Sequence, residues 1–114
     1  MGERSPAFSF YAKDFMLGTV TLTLAERGAY ISLLAYQWDH GSVPDGPESL
    51  GRICGCSGAQ AKKLWTAVGK KFLRGVDGQW RNPRLEAERA KQLDRREMLA
   101  ANGRKGADKR WQTG

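Results

Sequence analysis

Four side chains in the middle of the chain have the types and the spacing that phosphate binding by a helix requires. They recur along one side of an amphipathic stretch whose other side is apolar: Lys62, Lys63, Thr66 and Lys70. Lysine mainly contacts nucleic-acid phosphates, whereas reading a base sequence requires side chains that reach base edges. We therefore predict a DNA-binding face with modest sequence specificity. The competing interpretation is the solvated side of an ordinary amphipathic helix.

Two arginines, Arg74 and Arg81, flank the dipeptide Asp77-Gly78, and Asp-Gly is a strong signal for a two-residue hairpin turn. Such a turn pairs Arg74 directly with Arg81, places Trp80 on the inner face and leaves both guanidinium groups on the outer face. Facing arginines repel each other unless an anion lies between them, and guanidinium pairs well with phosphate oxygens. The hairpin therefore predicts a second site of DNA contact.

The net charge of +7 is concentrated in the second half of the chain. Residues 1–56 hold four Lys/Arg and six Asp/Glu, residues 57–83 hold six and one, and residues 84–114 hold nine and five. This excess predicts a polyanionic partner, with double-stranded DNA first and an acidic membrane surface second. The longest apolar-leaning run, residues 29–38, is too short to span a bilayer, so we expect no membrane-spanning segment. The sequence predicts a soluble cytoplasmic protein with reduced thiols.

The cysteines and the single histidine do not form a recognisable catalytic pattern. Cys54 and Cys56 lack the C-x-x-C spacing and a second cysteine pair, which argues against a metal or redox site. His40 has no apparent nucleophile beside it, and no glycine-rich phosphate-binding motif is present. We predict no catalytic residues, no metal and no cofactor, and therefore a protein that is not an enzyme.

Two capping boxes mark the starts of the helices that would present these side chains. Thr23 with Glu26, and Ser57 with Gln60, have the spacing at which a hydroxyl and a longer polar side chain satisfy free amides reciprocally. The predicted elements are a central helix at 23–40, a short helix at 47–54, a recognition helix at 57–72 and a hairpin at 72–82. This is the order of a winged helix-turn-helix, an α+β fold of mostly helical content, with the hairpin as the wing.

The two ends of the chain extend this predicted domain, which spans residues 1–82. Residues 8–15 alternate aromatic and smaller side chains, which favours a short strand or turn near the N-terminus, a candidate third strand. A long charged helix is predicted at 83–101, followed by a basic flexible tail at 102–114. Four basic residues of this tail complete the predicted DNA contacts: Arg104, Lys105, Lys109 and Arg110.

Three stretches of the chain resemble the prophage YdaU-like family: PAFSFYAKDF, TLAERGAYISLLAYQWDHGSVPD and DGQWRNPRLEAER. The resemblance covers about residues 6–111, and the ending NGRKGADKRW is similar to a Gly-Lys/Arg-rich stretch that follows the domain in many members. It implies a winged-helix fold similar to the N-terminal domains of phage replication initiators and replisome organisers. It also implies replication proteins, such as a helicase or its loader, as partners. No catalytic residues come with it.

The function predicted from these observations is DNA binding by a phage or prophage winged-helix protein in replication initiation or replisome assembly. Two alternatives stay open. The same module serves in transcriptional regulators, and a winged helix also serves as a scaffold for a protein–protein adaptor. In the adaptor, the central helix and the charged C-terminal helix would form the interface. The sequence leaves the oligomeric state open, a homo-oligomer included.

Overall fold

The computed structural model describes residues 6–113, with side chains described for residues 6–103. Residues 6–113 form five α-helices and one two-stranded antiparallel sheet, in this order: α1 (Ala12–Gly18), α2 (Leu24–His40), α3 (Pro47–Cys54), α4 (Gly58–Val68), β1 (Leu73–Arg74), β2 (Trp80–Arg81) and α5 (Pro83–Thr113). A short 3₁₀ turn over Gly69–Lys71 prolongs α4. The predicted α+β class with mostly helical content is therefore confirmed. No helix within this part of the chain is both long and apolar enough to cross a bilayer.

The N-terminal segment is extended only as far as Tyr11 and then forms α1. The candidate third strand at residues 8–15 is therefore wrong. Helix-forming residues explain the change, because Ala12, Lys13, Met16 and Leu17 favour a helix over a strand. The sheet instead gains a neighbour from the loop after α2. There, Val43 N–H donates to the Trp80 carbonyl and Trp80 N–H donates to the Val43 carbonyl, both at 2.8 Å.

Helix α2 forms the centre of the core, and its predicted capping box is present. Thr23 Oγ1 accepts from Glu26 N–H at 3.2 Å, and Glu26 Oε1 accepts from Thr23 N–H at 2.8 Å. Side chains of α2 pack with those of α3, α4, the loop at residue 43 and the start of α5. The buried apolar core consists of Ala29, Leu33, Leu34, Trp38, Val43, Leu50, Ala61, Val68, Phe72 and Leu85.

The turn between α3 and α4 is tight because a glycine occupies its closest contact. A Cβ at Gly51 would lie 2.6 Å from the carbonyl oxygen of Cys56, closer than real Cβ atoms approach backbone. The predicted Ser57–Gln60 capping box then opens α4, with Ser57 Oγ accepting from Gln60 N–H at 3.1 Å. Gly51 and the capping box together set the direction in which α4 leaves α3.

The hairpin register differs by one residue from the register that the sequence predicts. Leu73 pairs with Arg81 and Arg74 pairs with Trp80. Gly75 N–H also donates to the Gln79 carbonyl at 2.7 Å, so the loop consists of the three residues 76–78. A two-residue turn with positive φ at both positions is wrong here, because only Gly78 has positive φ (80°) and no non-glycine residue of the described chain does. An αL glycine that closes a three-residue loop is the usual alternative. Because a slip of one residue exchanges faces, Arg74 shares the face of Trp80, and Arg81 lies on the opposite one.

Helix α5 begins where the sequence predicts, with Asn82 Oδ1 accepting from Leu85 N–H at 3.0 Å. It continues to Thr113, through the segment for which the sequence predicts a flexible tail. Two glycines in this segment weaken a helix by about 1 kcal/mol each relative to alanine, but the surrounding Ala, Lys and Arg residues are strong helix formers. The predicted end of the helix near residue 101 therefore differs from the structure.

Candidate nucleic-acid interface

The four polar residues predicted on the recognition helix lie together on the exposed side of α4 and its 3₁₀ continuation. Lys62, Lys63, Thr66 and Lys70 are all exposed, while Ala61 on the same helix is buried. Lys70 lies in the 3₁₀ turn rather than in the α-helix, because α4 ends at residue 68. We call the surface formed by Lys62, Lys63, Thr66 and Lys70 the α4 face. Within the part of the chain with described side chains, no carboxylate forms an ion pair with its three ammonium groups.

Two hydrogen bonds explain why this face presents charge rather than groups that discriminate bases. Gln60 is held in the capping box, where its Oε1 accepts from Ser57 N–H at 3.1 Å. Thr66 Oγ1 donates to the Lys63 carbonyl at 2.7 Å, so its proton is not free for a phosphate. The lysines are therefore the groups of the α4 face best suited to an anion.

Arg74 is held by a carboxylate from the loop that precedes α3. Its Nη2 lies 3.1 Å from Asp45 Oδ2, and Trp80 Nε1 donates to Asp45 Oδ1 at 3.0 Å. The guanidinium lies 6.0 Å from the centroid of the Trp80 ring, which is the contact that the observed register produces. Arg74 is still half exposed, but its charge is balanced within the molecule.

Arg81 is bound more tightly than Arg74, and to a carboxylate of its own hairpin. Its Nη1 and Nη2 donate to the two carboxylate oxygens of Asp77 at 3.2 and 2.7 Å. These hydrogen bonds, together with one from Gln79 N–H, lower the pKa of Asp77 to about 2, and the pair raises the pKa of Arg81. The arrangement of two facing arginines that share an anion is therefore wrong, because the register separates them. A DNA contact by either arginine stays a prediction.

Four of the predicted contact residues lie outside the residues whose side chains are described: Arg104, Lys105, Lys109 and Arg110. Their role in DNA binding stays a prediction.

A buried polar network that holds the hairpin in place was not predicted from the sequence. Gln37 is fully buried, and its Oε1 accepts from Asn82 N–H at 2.7 Å. Its Nε2 donates to the Asn82 carbonyl at 3.2 Å and to Glu86 Oε2 at 2.9 Å. Asn82 Nδ2 donates in turn to the Lys71 carbonyl at 2.8 Å. The sequence indicates a cap at Asn82, but nothing marks Gln37 as its partner across the core.

Arg89 fixes α5 against the end of α2. Its Nη2 donates to the carbonyls of Trp38 at 2.7 Å and Gln37 at 3.3 Å, and its guanidinium lies 4.3 Å from the centroid of the Trp38 ring. A cation at a helix C-terminus is favourable because the last carbonyls carry partial negative charge. This contact attaches the base of α5 to the same core that supports α4.

The cysteines and the histidine have ordinary surroundings. Cys54 and Cys56 are free thiols, and burial together with the nearby Cys56 raises the pKa of Cys54. His40 stacks on Tyr36 with 4.0 Å between the ring centroids. Among the residues that the structure describes, no three His, Cys, Asp or Glu side chains form a group that could hold a metal ion.

Residues 6–90 match the family described as Protein of unknown function (DUF1376), and the chain belongs to this family. No curated protein and no solved structure matches the chain.

Proposed function

We propose that this member of the DUF1376 family is a winged-helix DNA-binding protein whose α4 face contacts the phosphates of a duplex. The order of elements supports the proposal: α2, a single bridging residue in the following loop, α3, α4 and then the β1–β2 hairpin. In winged helix-turn-helix proteins, the second helix of the helix pair enters the major groove and the hairpin flanks it. On this proposal α4 is the recognition helix and the hairpin is the wing.

The observation that carries the proposal is the difference between the lysines and the arginines of this region. Lys62, Lys63 and Lys70 have no intramolecular carboxylate partner among the described residues, whereas Arg74 and Arg81 each have one. A lysine without an internal counterion can neutralise a phosphate and release the cations condensed on the duplex, which favours binding at low salt. The affinity should therefore come mainly from the lysines and should depend steeply on salt.

The biological process is proposed from the resemblance to the prophage YdaU-like family. Phage replication initiators and replisome organisers begin with domains of this kind, so we propose a role in replication initiation or replisome assembly, with a helicase or its loader as partner. Transcriptional regulation is the alternative use of the same module. Enrichment of one palindromic site from a random duplex library would favour the regulator, because modest specificity is expected from lysine contacts to phosphate.

The proposal is tested by fluorescence anisotropy with a labelled random duplex at low salt. We expect binding by the natural chain and a loss of on the order of 10- to 100-fold in affinity for Lys62→Glu/Lys63→Glu. A charge-matched control is Lys13→Glu/Arg95→Glu, which changes the net charge equally at exposed positions of α1 and α5. Equal losses in the two folded double variants would contradict a binding site on α4.

A protein–protein adaptor is the second candidate, and exposed apolar side chains on α5 favour it. Leu93, Met98 and Leu99 are exposed by 48%, 64% and 70% along this helix. Unchanged duplex affinity in the folded Lys62→Glu/Lys63→Glu variant would leave the adaptor as the better explanation.

A further inference from the structure

A cavity lies between the N-terminal segment and the first turns of α5, and Lys70 is the one α4-face residue that lines it. Its volume is about 460 Å³, within the range of roughly 300–1,000 Å³ that is usual for small-molecule sites. Five aromatic rings line it: Phe8, Phe10, Tyr11, Phe15 and Tyr30. An aromatic wall of this kind suits a flat ring system as ligand.

Two of these rings are exposed to a degree that core packing does not explain. Phe10 is 55% exposed and Tyr11 is 52% exposed, although both belong to a segment held against the core. The Phe8 ring packs against Trp38 with 5.3 Å between the ring centroids, and the Phe10 ring packs against Phe15 with 5.2 Å between the centroids. Exposed aromatic side chains on a fixed backbone are the usual platforms for stacking nucleic-acid bases.

The wall of the cavity also contains a carboxylate with one unused oxygen. Glu88 is only 6% exposed, and its Oε2 accepts from the Tyr11 hydroxyl at 3.1 Å. Its Oε1 is shielded from solvent and has no hydrogen-bond partner among the described residues. A buried acceptor without a donor is unfavourable, so a ligand that brings N–H groups to this position removes that penalty.

The rim of the cavity is basic, which favours a ligand that carries a negative charge as well as N–H groups. Lys70, Lys71, Arg84 and Lys91 lie around it. Arg84 pairs with Asp14 at 3.1 Å, and Lys71 Nζ donates to a backbone carbonyl of α1 at 2.7 Å. Lys70 and Lys91 form no ion pair among the described residues. These positive charges disfavour a cationic ligand. A ring with N–H donors that also carries a phosphate suits both the Glu88 carboxylate in the wall and the basic residues of the rim.

We propose that the cavity binds a guanine base attached to a phosphate. Along one edge guanine presents N–H donors from a ring nitrogen and from its amino group, and a carboxylate accepts both. Adenine and cytosine present an unprotonated ring nitrogen beside the amino group, which a carboxylate repels. Glu88 would receive the guanine edge, Phe10 would stack on the ring, and Lys70 and Lys91 would contact the phosphate.

Access to Glu88 requires the half-exposed Tyr11 ring to turn aside, which also frees Oε2 as a second acceptor. A free guanine nucleotide and an unpaired guanine within a single strand offer the same groups to the site. This inference goes beyond duplex binding by the α4 face, since it concerns a cavity that shares Lys70 with that face and a base that is not in a double helix.

The experiment is a calorimetric titration of the natural chain at low salt with guanosine, inosine and adenosine monophosphate. We expect guanosine monophosphate to bind roughly tenfold tighter than adenosine monophosphate. The guanine edge donates N–H groups to the Glu88 carboxylate, whereas the unprotonated ring nitrogen of adenine is repelled by it. Inosine monophosphate, which keeps the ring N–H and lacks the amino group, should fall between them. A second arm compares a short oligothymidine with the same strand carrying one central guanine. Preference for guanine only in the strand identifies an unpaired base as the ligand.

Two variants test the assignment of residues. Glu88→Gln should abolish the preference for guanine over adenine, whereas Phe10→Ala should weaken both nucleotides about equally. Equal affinity for the two nucleotides together with no preference for the guanine-bearing strand would overturn the proposal, as would an unchanged preference in folded Glu88→Gln. If Glu88→Gln does not fold, the nucleotide ratios of the natural chain decide. These titrations contain no duplex, so their failure and the failure of duplex binding are separate results.

Discussion

The α4 face and the hairpin beside it are both basic in sequence, yet they differ in whether their basic side chains form ion pairs within the molecule. On the α4 face, three lysines point to solvent with no intramolecular carboxylate partner among the described residues. In the hairpin, Arg74 is paired with Asp45 and Arg81 with Asp77. A count of basic residues does not distinguish these two regions. The positions of the carboxylates do, because they pair with the hairpin arginines and leave the lysines of the α4 face available to bind an anion.

The largest effect is expected from removing the polar network that holds the hairpin to the core. Gln37→Leu would leave the buried N–H of Asn82 without its acceptor and would remove the hydrogen bond to Glu86 Oε2, which keeps its 3.9 Å ion pair with Arg89. We expect the free energy of unfolding in urea to fall by about 2–4 kcal/mol. The same substitution at Gln92 removes only one long hydrogen bond of 3.5 Å and should cost less than about 1 kcal/mol. Equal stability of the two variants would contradict the role of Gln37.

A smaller loss is expected from a change in the turn that directs α4. Gly51→Ala forces a Cβ to within 2.6 Å of the Cys56 carbonyl, and the shift needed should cost about 1–3 kcal/mol. Gly28→Ala is the matched control, because nothing lies within 4 Å of a Cβ there and the helix gains up to about 1 kcal/mol. Thermal melts should move in opposite directions. A stabilised Gly51→Ala would mean that the α3–α4 turn is not tight.

Releasing the hairpin arginines should increase duplex affinity by a modest factor. Asp45→Asn keeps an oxygen for Trp80, and Asp77→Asn keeps one for Gln79, while both lose the charge that holds an arginine. We expect the double variant to bind a duplex on the order of three- to tenfold tighter than the natural chain. The control Asp39→Asn/Asp94→Asn adds the same net charge at exposed positions away from the hairpin. An equal gain in the control would show that only net charge matters.

The smallest effect is the pH dependence of the Asp77–Arg81 pair. Because hydrogen bonds from Arg81 and Gln79 N–H lower the pKa of Asp77 to about 2, ionised Asp77 stabilises the folded state above its ordinary pKa near 4. That contribution is lost as the pH falls from about 4 through about 2. Titration of the side-chain carboxyl by NMR should give the low value, and Arg81→Lys should raise it, since lysine cannot form the two-point contact. An ordinary pKa in the natural chain would contradict the pair.

The parts of the fold that depend on neighbouring residues could be predicted from the sequence. Thr23 with Glu26 and Ser57 with Gln60 form capping boxes because each box needs only residues within one helical turn. The core side of α4 followed from helical spacing for the same reason. The predicted class and the exposed position of the α4 lysines rest on these local signals.

The parts that depend on distant residues could not be predicted. Asp-Gly is compatible with loops of two or three residues, and the observed register brings β2 against Val43 and Arg74 against Trp80. Asp45 lies 29 residues from Arg74, and Tyr11 lies 77 residues from Glu88. No spacing rule reports such contacts, so neither the neutralised hairpin nor the cavity was visible in the sequence.

The most direct test of the central claim compares the salt dependence of duplex binding for two double variants. Each phosphate contact contributes a slope of about −0.9 to the logarithm of affinity against the logarithm of salt concentration. We expect Lys62→Ala/Lys63→Ala to make the slope less steep by roughly 2, and Arg74→Ala/Arg81→Ala to leave it nearly unchanged. Thermal melts of both variants confirm that they are folded. A shallower slope in the arginine variant and an unchanged slope in the lysine variant would contradict the α4 face as the binding surface.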